Sequence, residues 1–374
     1  MKVFVSGSRG IPFIPGGIET HCQNLYPVLA QLGVEIVVAR RNSYVPSRIT
    51  CWSGVDLIDI YAPRIKGLEA IVHTFISVFY AVRIKADIFH VHGIGPALLC
   101  PIAKILGLKV VLTHHGSDYE RDNWGYFSKL VLKMGEKIGG YFADQVISIS
   151  KPIQKTIKET SGSESKLIFN GVNVLNKAKS DSFIKTLGVS PNNYLLAVAR
   201  FVPEKGLHDL INAFSLIDSK KKLVIAGDAD FETVYSNKLK ALASKNPDII
   251  LTGYITGDKL HEVYSHAAAF VLPSYHEGLP ISLLEAMSYG LIPLVSDISA
   301  NKQVALPDDC FFSVGNIMDL SKKLELVANE TQHVDREKFI KIVIENYNWK
   351  DIAVATKSVY EELLGIQKPN NQVI

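Results

Sequence analysis

The chain has 374 residues, of which 47% are apolar, and a formal net charge of +3 at pH 7. This length exceeds what one hydrophobic core usually organises, so we expect two domains. The charge is uneven: residues 1–178 carry 20 Lys and Arg against 13 Asp and Glu, and the remainder carries 20 against 24. A basic first half is compatible with an anionic surface as partner. Nucleic acid is not an expected partner, because the sequence has no basic run with interleaved aromatic residues.

The cysteines and the apolar runs limit where the protein works. Four cysteines lie far apart and form no Cys-x-x-Cys pair: Cys22, Cys51, Cys100 and Cys310. They also form no metal-like cluster with histidines, and this scatter favours a reducing, cytosolic compartment. No apolar run suits a signal peptide or reaches the roughly 18 residues of a membrane span. We expect a cytoplasmic protein, and docking at the inner face of the cytoplasmic membrane stays open.

Short apolar, β-branched runs recur along the first half: KVFVSG, EIVVA, DIFHVH, KVVLTH and QVISIS. Segments with helical periodicity separate them, which is typical of a parallel sheet covered by crossover helices. After a polar stretch at 176–193 the alternation restarts with YLLAVAR, KKLVIAGD, DIILTG, AAFVLPS and LIPLVS. The pattern predicts an α/β fold with two doubly wound, Rossmann-like domains, residues 1–178 and 179–345, and a cleft between them.

Residues 346–374 form a third segment. Apolar side chains at Trp349, Ile352, Val359 and Leu363–Leu364 predict an amphipathic helix. We expect this helix to pack back towards the N-terminal domain.

The loop after the first strand, VSGSRGIPFIPGGIET, places Gly16 and Gly17 directly before a helix expected from about Ile18 to Leu32. Glycine lets backbone N–H groups approach a phosphate closely. The loop lacks the GxGxxG pattern of dinucleotide sites, which disfavours a nicotinamide cofactor.

The apolar segment AIVHTFISVFYAV, residues 70–82, has basic residues on both sides: Arg64, Lys66, Arg83 and Lys85. One interpretation is an interfacial helix that docks on a membrane carrying a lipid-linked acceptor. The favoured interpretation is a helix buried against the first sheet, since few polar residues interrupt the segment.

Two loops of the second half carry charge where strands end. ARFVPEKGL follows the first strand of that half and places Arg200 and Lys205 ahead of a helix, where both can neutralise a phosphate. GDADF contains Asp228 and Asp230 and looks like a metal-binding DxD signature. The segment follows the strand in KKLVIAGD, where a metal site and a simple Gly-Asp turn are the alternatives.

The stretch HEGLPISLLEAMSYGLIPLVS places Glu277 in a loop and Glu285 on the helix that follows. Ligands of open α/β sheets bind at the carboxyl ends of the strands, where a helix start attracts phosphate. A carboxylate repels phosphate but accepts hydrogen bonds from a vicinal diol such as ribose. Two glutamates beside a phosphate site therefore indicate a sugar nucleotide.

Together, RGIPFIPGGIET, THHGSD, ARFVPEKGL and PSYHEGLPISLLEAMSYG resemble the family 4 glycosyltransferases, in order and over nearly the whole chain. The segments SRGIP and YERDNWG are similar to those of a bacterial subgroup of this family. That subgroup includes rhamnosyltransferases that assemble surface polysaccharides such as O-antigen. The resemblance implies the GT-B fold and transfer with retention of anomeric configuration. It implies a nucleotide-diphospho-sugar donor, dTDP-rhamnose or else a UDP- or GDP-sugar, a glycan or lipid-linked acceptor, and no metal or other cofactor. Because the family has a non-metal Gly-Asp turn at GDADF, we reject the metal interpretation of Asp228 and Asp230.

The resemblance also implies roles for particular residues. The expected catalytic residues are His115, Arg200, Lys205 and Glu277, with His114 the less favoured histidine. The expected donor-binding residues are Gly16, Gly17, Arg200, Lys205, Glu277, Gly278, Leu279 and Glu285. The expected acceptor-binding residues are Asp118, Arg121 and Trp124.

Other functions stay open from sequence alone. A nucleotide-sugar epimerase or a phosphorylase on the same scaffold would share the phosphate elements. An NAD-dependent oxidoreductase would need the missing glycine pattern, and a catalytically silent carbohydrate-binding protein would not need the cations and carboxylates.

Overall fold

The computed structural model describes residues 1–45, 49–65, 67–120, 125–329 and 335–366. The chain divides into two compact units. Unit 1 comprises Met1–Gly171 and the chain from Trp349 on, and unit 2 comprises Val172–Asn348. The borders lie a few residues from the expected 178/179 and 345/346. The reason is that the two segments that connect the units lie side by side within unit 2, where the Val172 N–H donates to the Tyr347 carbonyl over 2.7 Å.

Unit 1 is built on one sheet. Its strands are β1 (Lys2–Ser6), β2 (Glu35–Arg41), β3 (Cys51–Trp52), β4 (Val55–Ile60), β5 (Ile88–His92), β6 (Lys109–His114), β7 (Gln145–Ser148) and β8 (Lys166–Leu167). Its first helices are α1 (Gly17–Gln31), α2 (Leu68–Arg83), α3 (Cys100–Ile105), α4 (Tyr126–Phe142) and α5 (Lys151–Ser161). The strand order is β3-β4-β2-β1-β5-β6-β7-β8, and every pair is parallel except β3 with β4.

The sequence analysis missed β4. This strand, VDLIDI, alternates buried apolar with more exposed acidic residues, because only the short β3 lies beyond it at the edge of the sheet. Continuous apolar runs indicate strands that are buried on both faces, such as β5. A strand in which apolar and polar residues alternate has no such run.

Unit 2 has a smaller sheet. Its strands are β9 (Tyr194–Val198), β10 (Lys222–Ala226), β11 (Ile249–Gly253), β12 (Ala269–Leu272), β13 (Ile292–Ser296) and β14 (Phe311–Phe312). Its helices are α6 (Ser182–Thr186), α7 (Leu207–Phe214), α8 (Val234–Ala243), α9 (Gly257–His266), α10 (Ile281–Ser288), α11 (Ser299–Lys302), α12 (Ile317–Ala328) and α13 (Arg336–Asn346). The order is β11-β10-β9-β12-β13-β14 and all pairs are parallel.

The last helix, α14 (Trp349–Leu364), belongs to unit 1. It packs along α1 and adds Trp349, Ile352 and Tyr360 to the core beneath the sheet. Its Lys357 ammonium donates to the Leu32 carbonyl at the end of α1, over 2.8 Å. A segment more than 170 residues away in the sequence therefore completes the first unit.

The two parallel, doubly wound sheets confirm the predicted α/β fold class. In each sheet the chain order reverses between two neighbouring strands, β1 and β5 in unit 1 and β9 and β12 in unit 2. Loops that leave the carboxyl ends of such neighbours diverge and leave a crevice for a ligand.

Helix α2 has an unusual distribution of side chains. Its buried face includes the polar residues His73, Thr74 and Ser77, whereas Phe75 and Phe79 are 44% and 49% exposed. The segment at 70–82 is thus partly packed on the sheet and partly an aromatic surface. Among the described residues, no helix is both long and apolar enough to cross a bilayer.

Candidate functional site

Two loops meet at the carboxyl ends of β9 and β12, the strands between which the order of unit 2 reverses. The Tyr275 N–H of one loop donates to the Glu204 carbonyl of the other over 2.9 Å. Gly206 has φ 61°, and a Cβ on it would lie 2.1 Å from the Pro273 carbonyl oxygen. Only glycine permits this approach, so the packing of the two loops requires Gly206.

Lys205 and Glu277 form an ion pair across these loops. The lysine Nζ lies 2.5 Å from the glutamate Oε1, and the Ser274 hydroxyl donates to the same oxygen over 2.7 Å. Both side chains are largely buried. The structure thus brings together a cation and a carboxylate that are 72 positions apart in the sequence.

Arg200 points to the Asp-Ala-Asp segment after β10. Its Nη1 lies 3.1 Å from Asp230 Oδ2, and Lys240 Nζ lies 2.9 Å from Asp228 Oδ1. Each carboxylate of the segment faces a cationic side chain. This arrangement lowers the segment's ability to hold a metal cation, which needs carboxylates that are free to coordinate.

Glu285 lies in the middle of α10 among the buried residues Leu284, Ala286 and Met287. Burial raises the pKa of its carboxyl group to about 7, and a hydrogen bond from the Tyr264 hydroxyl, at 3.0 Å, opposes that rise. The group is therefore poised between its neutral and ionised forms near physiological pH. Glu285 is partly accessible rather than sealed.

Gly278 and Leu279 connect the Glu277 loop to α10, which begins at Ile281 directly after Pro280. The Leu279 side chain is buried. A segment that leads into a helix start can offer backbone N–H groups to a phosphate.

In unit 1, Gly16 and Gly17 precede and begin α1. Gly16 has φ 143°, and a Cβ there would lie 1.9 Å from Glu19 Oε2, whereas a Cβ on Gly17 would meet nothing within 4 Å. Glu19 Oε1 also accepts the Arg9 N–H over 2.8 Å. Gly16 is therefore required by the fold, while Gly17 leaves open space at the helix start.

The two adjacent histidines after β6 differ in their surroundings. His114 is fully buried: its Nε2 lies 2.8 Å from Glu136 Oε1, and its Nδ1 accepts the Gly116 N–H over 3.1 Å. His115 is more accessible, and its Nε2 lies 2.8 Å from His92 Nδ1. His114 holds the loop in place, and His115 is the histidine that a ligand can reach.

Sequence reasoning missed Glu136, His21 and His92. One ring nitrogen each from His21, His92 and His115 lies within 4.8 Å of the others. The signals were weak, because the three histidines come from α1, β5 and the loop after β6, Glu136 lies on α4, and no local spacing links them. Among the expected acceptor residues, Asp118 begins a 3-10 turn, Asp118–Glu120, while Arg121 and Trp124 lie outside the described residues.

Comparison with known proteins decides the family. The model for "Glycosyltransferase Family 4" matches residues 15–174, and the model for "Glycosyl transferases group 1" matches residues 179–346. The chain belongs to the family 4 glycosyltransferases. The two models meet close to the border between the units, so both halves of this glycosyltransferase carry the match.

Relatives and solved structures agree with this assignment. The GDP-mannose:cellobiosyl-diphosphopolyprenol alpha-mannosyltransferase of Xanthomonas oryzae is 27% identical over 79% of each chain. Sucrose-phosphate synthase from Thermosynechococcus elongatus has a TM-score of 0.82 at 18% identity, covering 98% of this chain and 99% of that one. Anabaena HepE, solved with UDP-glucose, has a TM-score of 0.79 at 16% identity, covering 96% and 99%. The structural similarity establishes the GT-B fold of the glycosyltransferase.

Proposed function

We propose that the protein is a retaining glycosyltransferase that moves a sugar from a nucleotide-diphosphate donor to a glycan or lipid-linked acceptor in bacterial polysaccharide assembly. The observation that carries the proposal is the Lys205–Glu277 pair at the carboxyl ends of β9 and β12, with Glu285 on the helix that follows β12. Two similar proteins support the proposal. One is the mannosyltransferase named for a diphosphopolyprenol substrate, and the other is HepE, which was solved with UDP-glucose.

The donor is held by groups of complementary charge. Lys205 and Arg200 neutralise the diphosphate, assisted by backbone N–H groups at the start of α10. Glu285 accepts hydrogen bonds from the ribose hydroxyls, and Glu277 accepts them from the donor sugar. In unit 1, Gly16 and Gly17 offer backbone N–H groups to a phosphate at the start of α1.

The transfer step follows from this placement. The bond between the anomeric carbon and the diphosphate oxygen breaks while Lys205 and Arg200 stabilise the leaving charge. The acceptor oxygen attacks the same face of the sugar, and the departing diphosphate takes the acceptor's proton. The His115 imidazole or backbone hydrogen-bonds the donor hydroxyls near the anomeric carbon. The diphosphate requires no metal ion, because side chains supply its counter-charge.

The acceptor enters through unit 1. Helices α2 and α4 both pack against the 3-10 turn Pro96–Leu99. Besides the aromatic face of α2, α4 exposes Tyr126, Phe127, Leu130, Met134 and Tyr141, with Lys133 and Lys137 between them. Apolar side chains interleaved with lysines suit an anionic bilayer surface. Docking there would present a lipid-linked acceptor to the enzyme.

A donor screen followed by a transfer assay tests the proposal. One of UDP, GDP, dTDP and ADP should raise the melting temperature selectively, and the matching nucleotide sugar should then yield a product with the donor's anomeric configuration by NMR. If none of them binds, the proposal fails. Epimerised sugar from donor alone, or sugar 1-phosphate formed with added phosphate, would instead favour an epimerase or a phosphorylase.

A further inference from the structure

The three histidines of unit 1 converge from separate elements. His21 lies on α1, His92 ends β5, and His115 follows β6. The His21 and His115 rings meet edge to face with centroids 4.9 Å apart, and the His92 and His115 centroids are 5.1 Å apart. The strand ends and the helix that meet here surround the crevice where the strand order of unit 1 reverses.

The outer nitrogens of two rings have partners that fix their orientation. His21 Nδ1 lies 2.9 Å from the Asn170 side-chain oxygen, so this nitrogen carries the proton and Nε2 keeps its lone pair. His92 Nε2 lies 2.5 Å from the Tyr26 hydroxyl. When His92 Nε2 donates to that hydroxyl, its Nδ1 lone pair faces the other histidines. Such outer partners are the usual support of metal-binding imidazoles.

One nitrogen of the group is unsatisfied. His21 is 3% exposed, and its Nε2 has no hydrogen-bond partner among the described residues. Buried polar atoms without partners are rare and costly in folded proteins.

We propose that His21, His92 and His115 bind a divalent transition-metal ion, with Zn²⁺ as the natural occupant. Zinc–nitrogen bonds of about 2.0–2.1 Å place tetrahedral ligand atoms about 3.3 Å apart. The present separations, 2.8 Å between His92 Nδ1 and His115 Nε2 and up to 4.8 Å within the group, bracket that value. The 2.8 Å contact is a hydrogen bond, so metal binding requires the His115 proton to lie on Nδ1 and the side chains to adjust until three lone pairs meet at one centre.

Burial prepares these rings as ligands. It lowers the pKa of His21 to about 4 and holds the pKa values of His92 and His115 well below the ordinary histidine value. Neutral imidazoles bind metal without first releasing a proton. His115 is the most accessible of the three, so the fourth position opens to water or to a hydroxyl ligand, as in sites with three protein ligands.

The site goes beyond the proposed function, which needs no metal at the diphosphate, but the two share His115. When a metal ion binds Nε2 of His115, the Nδ1 edge of the ring and the backbone of this residue can still contact the donor sugar. The metal would tie α1, β5 and the loop after β6 together, and it would hold that edge in one orientation.

The test uses full-length protein without a histidine tag, produced in medium supplemented with zinc and then desalted. Elemental analysis should find about one zinc per chain. The zinc-free protein, titrated with Co²⁺, should develop the visible absorption bands of tetrahedral cobalt at one equivalent, and Zn²⁺ should abolish them. The melting temperature should rise with Zn²⁺.

His21→Gln should lose the metal, while His73→Gln, a matched buried histidine of unit 1 outside the group, should retain it. Wild-type protein with neither retained zinc nor cobalt bands overturns the proposal without recourse to any variant. Equal metal loss in both variants, or equal retention, also overturns it. Nucleotide binding measured on the same samples separates the two ideas, since a chain that binds metal but no nucleotide refutes only the proposed function.

Discussion

The Lys205 ammonium contacts a carboxylate oxygen of Glu277 at 2.5 Å, in a largely buried position at the ends of two neighbouring strands. A cation and an anion that are both assigned to the donor thus neutralise each other. A diphosphate must compete with Glu277 for Lys205. The strength of the Lys205–Glu277 pair therefore limits the strength of the interaction between Lys205 and the diphosphate.

Replacing the cation should damage turnover. We expect Lys205→Ala to lower kcat by about 10²–10³, because the leaving diphosphate loses a charge-assisted partner. Lys185→Ala, at an exposed lysine of the same unit, serves as control and should change kcat less than twofold. Steady-state transfer assays measure both. Near-normal turnover of Lys205→Ala would remove this residue from the mechanism.

Neutralising the anion should separate nucleotide binding from transfer. Glu277→Gln frees Lys205 and removes the carboxylate's repulsion of phosphate, so the free nucleoside diphosphate should bind several-fold more tightly. Transfer should nevertheless slow, because the amide accepts hydrogen bonds from sugar hydroxyls less well than a carboxylate does. Calorimetry with the nucleotide and assays with the sugar donor give the two readings. Weaker nucleotide binding would contradict the proposed competition.

Glu285 should couple pH to stability and to donor affinity in opposite directions. Its pKa of about 7 lies above the ordinary value of 4.5, so the folded state holds an extra proton between these values and stability falls as pH rises through this window. The ionised form is the one that accepts both ribose hydrogen bonds. Wild-type donor affinity should therefore increase from pH 6 to pH 8.

Glu285→Gln is the corresponding variant. It should unfold at a higher temperature than wild type at pH 8, where wild type buries a charge, and it should bind the donor weakly with little pH dependence. Thermal unfolding and calorimetry at pH 6 and pH 8 measure both. A variant that is less stable than wild type at pH 8 would argue against the raised pKa.

Gly17→Ala should cost binding but not stability. A Cβ there meets nothing within 4 Å, and alanine favours the helix by up to about 1 kcal/mol. The added methyl would, however, occupy the space that the proposed phosphate needs. We expect an unchanged or higher melting temperature and a higher KM for the donor. Gly107→Ala, which also meets nothing within 4 Å but has φ 85°, should instead lower stability and leave KM unchanged.

The aromatic face of α2 should be needed for membrane binding. The double substitution Phe75→Ser and Phe79→Ser should reduce sedimentation with vesicles that contain anionic lipid by about tenfold, because the bilayer loses two apolar anchors. Phe231→Ser, at an exposed residue of unit 2, is the control. Wild-type binding should weaken with salt, since the lysines of α4 contribute. Unchanged sedimentation of the double variant would exclude this face.

The fold was predictable where burial leaves continuous apolar runs, as in β5, β6, β9 and β12. It was less predictable at β4, where the alternation reflects an edge position, and at α2, where tertiary packing buries His73 and exposes Phe75. For the site, the sequence indicated which residue types surround the strand ends. It gave no sign that Lys205 pairs with Glu277 or that His21 joins His92, because such contacts arise only when distant loops meet.

The return of α14 to unit 1 has a consequence for synthesis on the ribosome. Unit 2 is one continuous stretch, Val172–Asn348, and it can collapse as soon as it emerges. Unit 1 is translated first but lacks Trp349, Ile352 and Tyr360 in its core until the final helix is made. The nascent chain must therefore keep an incompletely covered apolar layer from aggregating while roughly half of its length is still being translated.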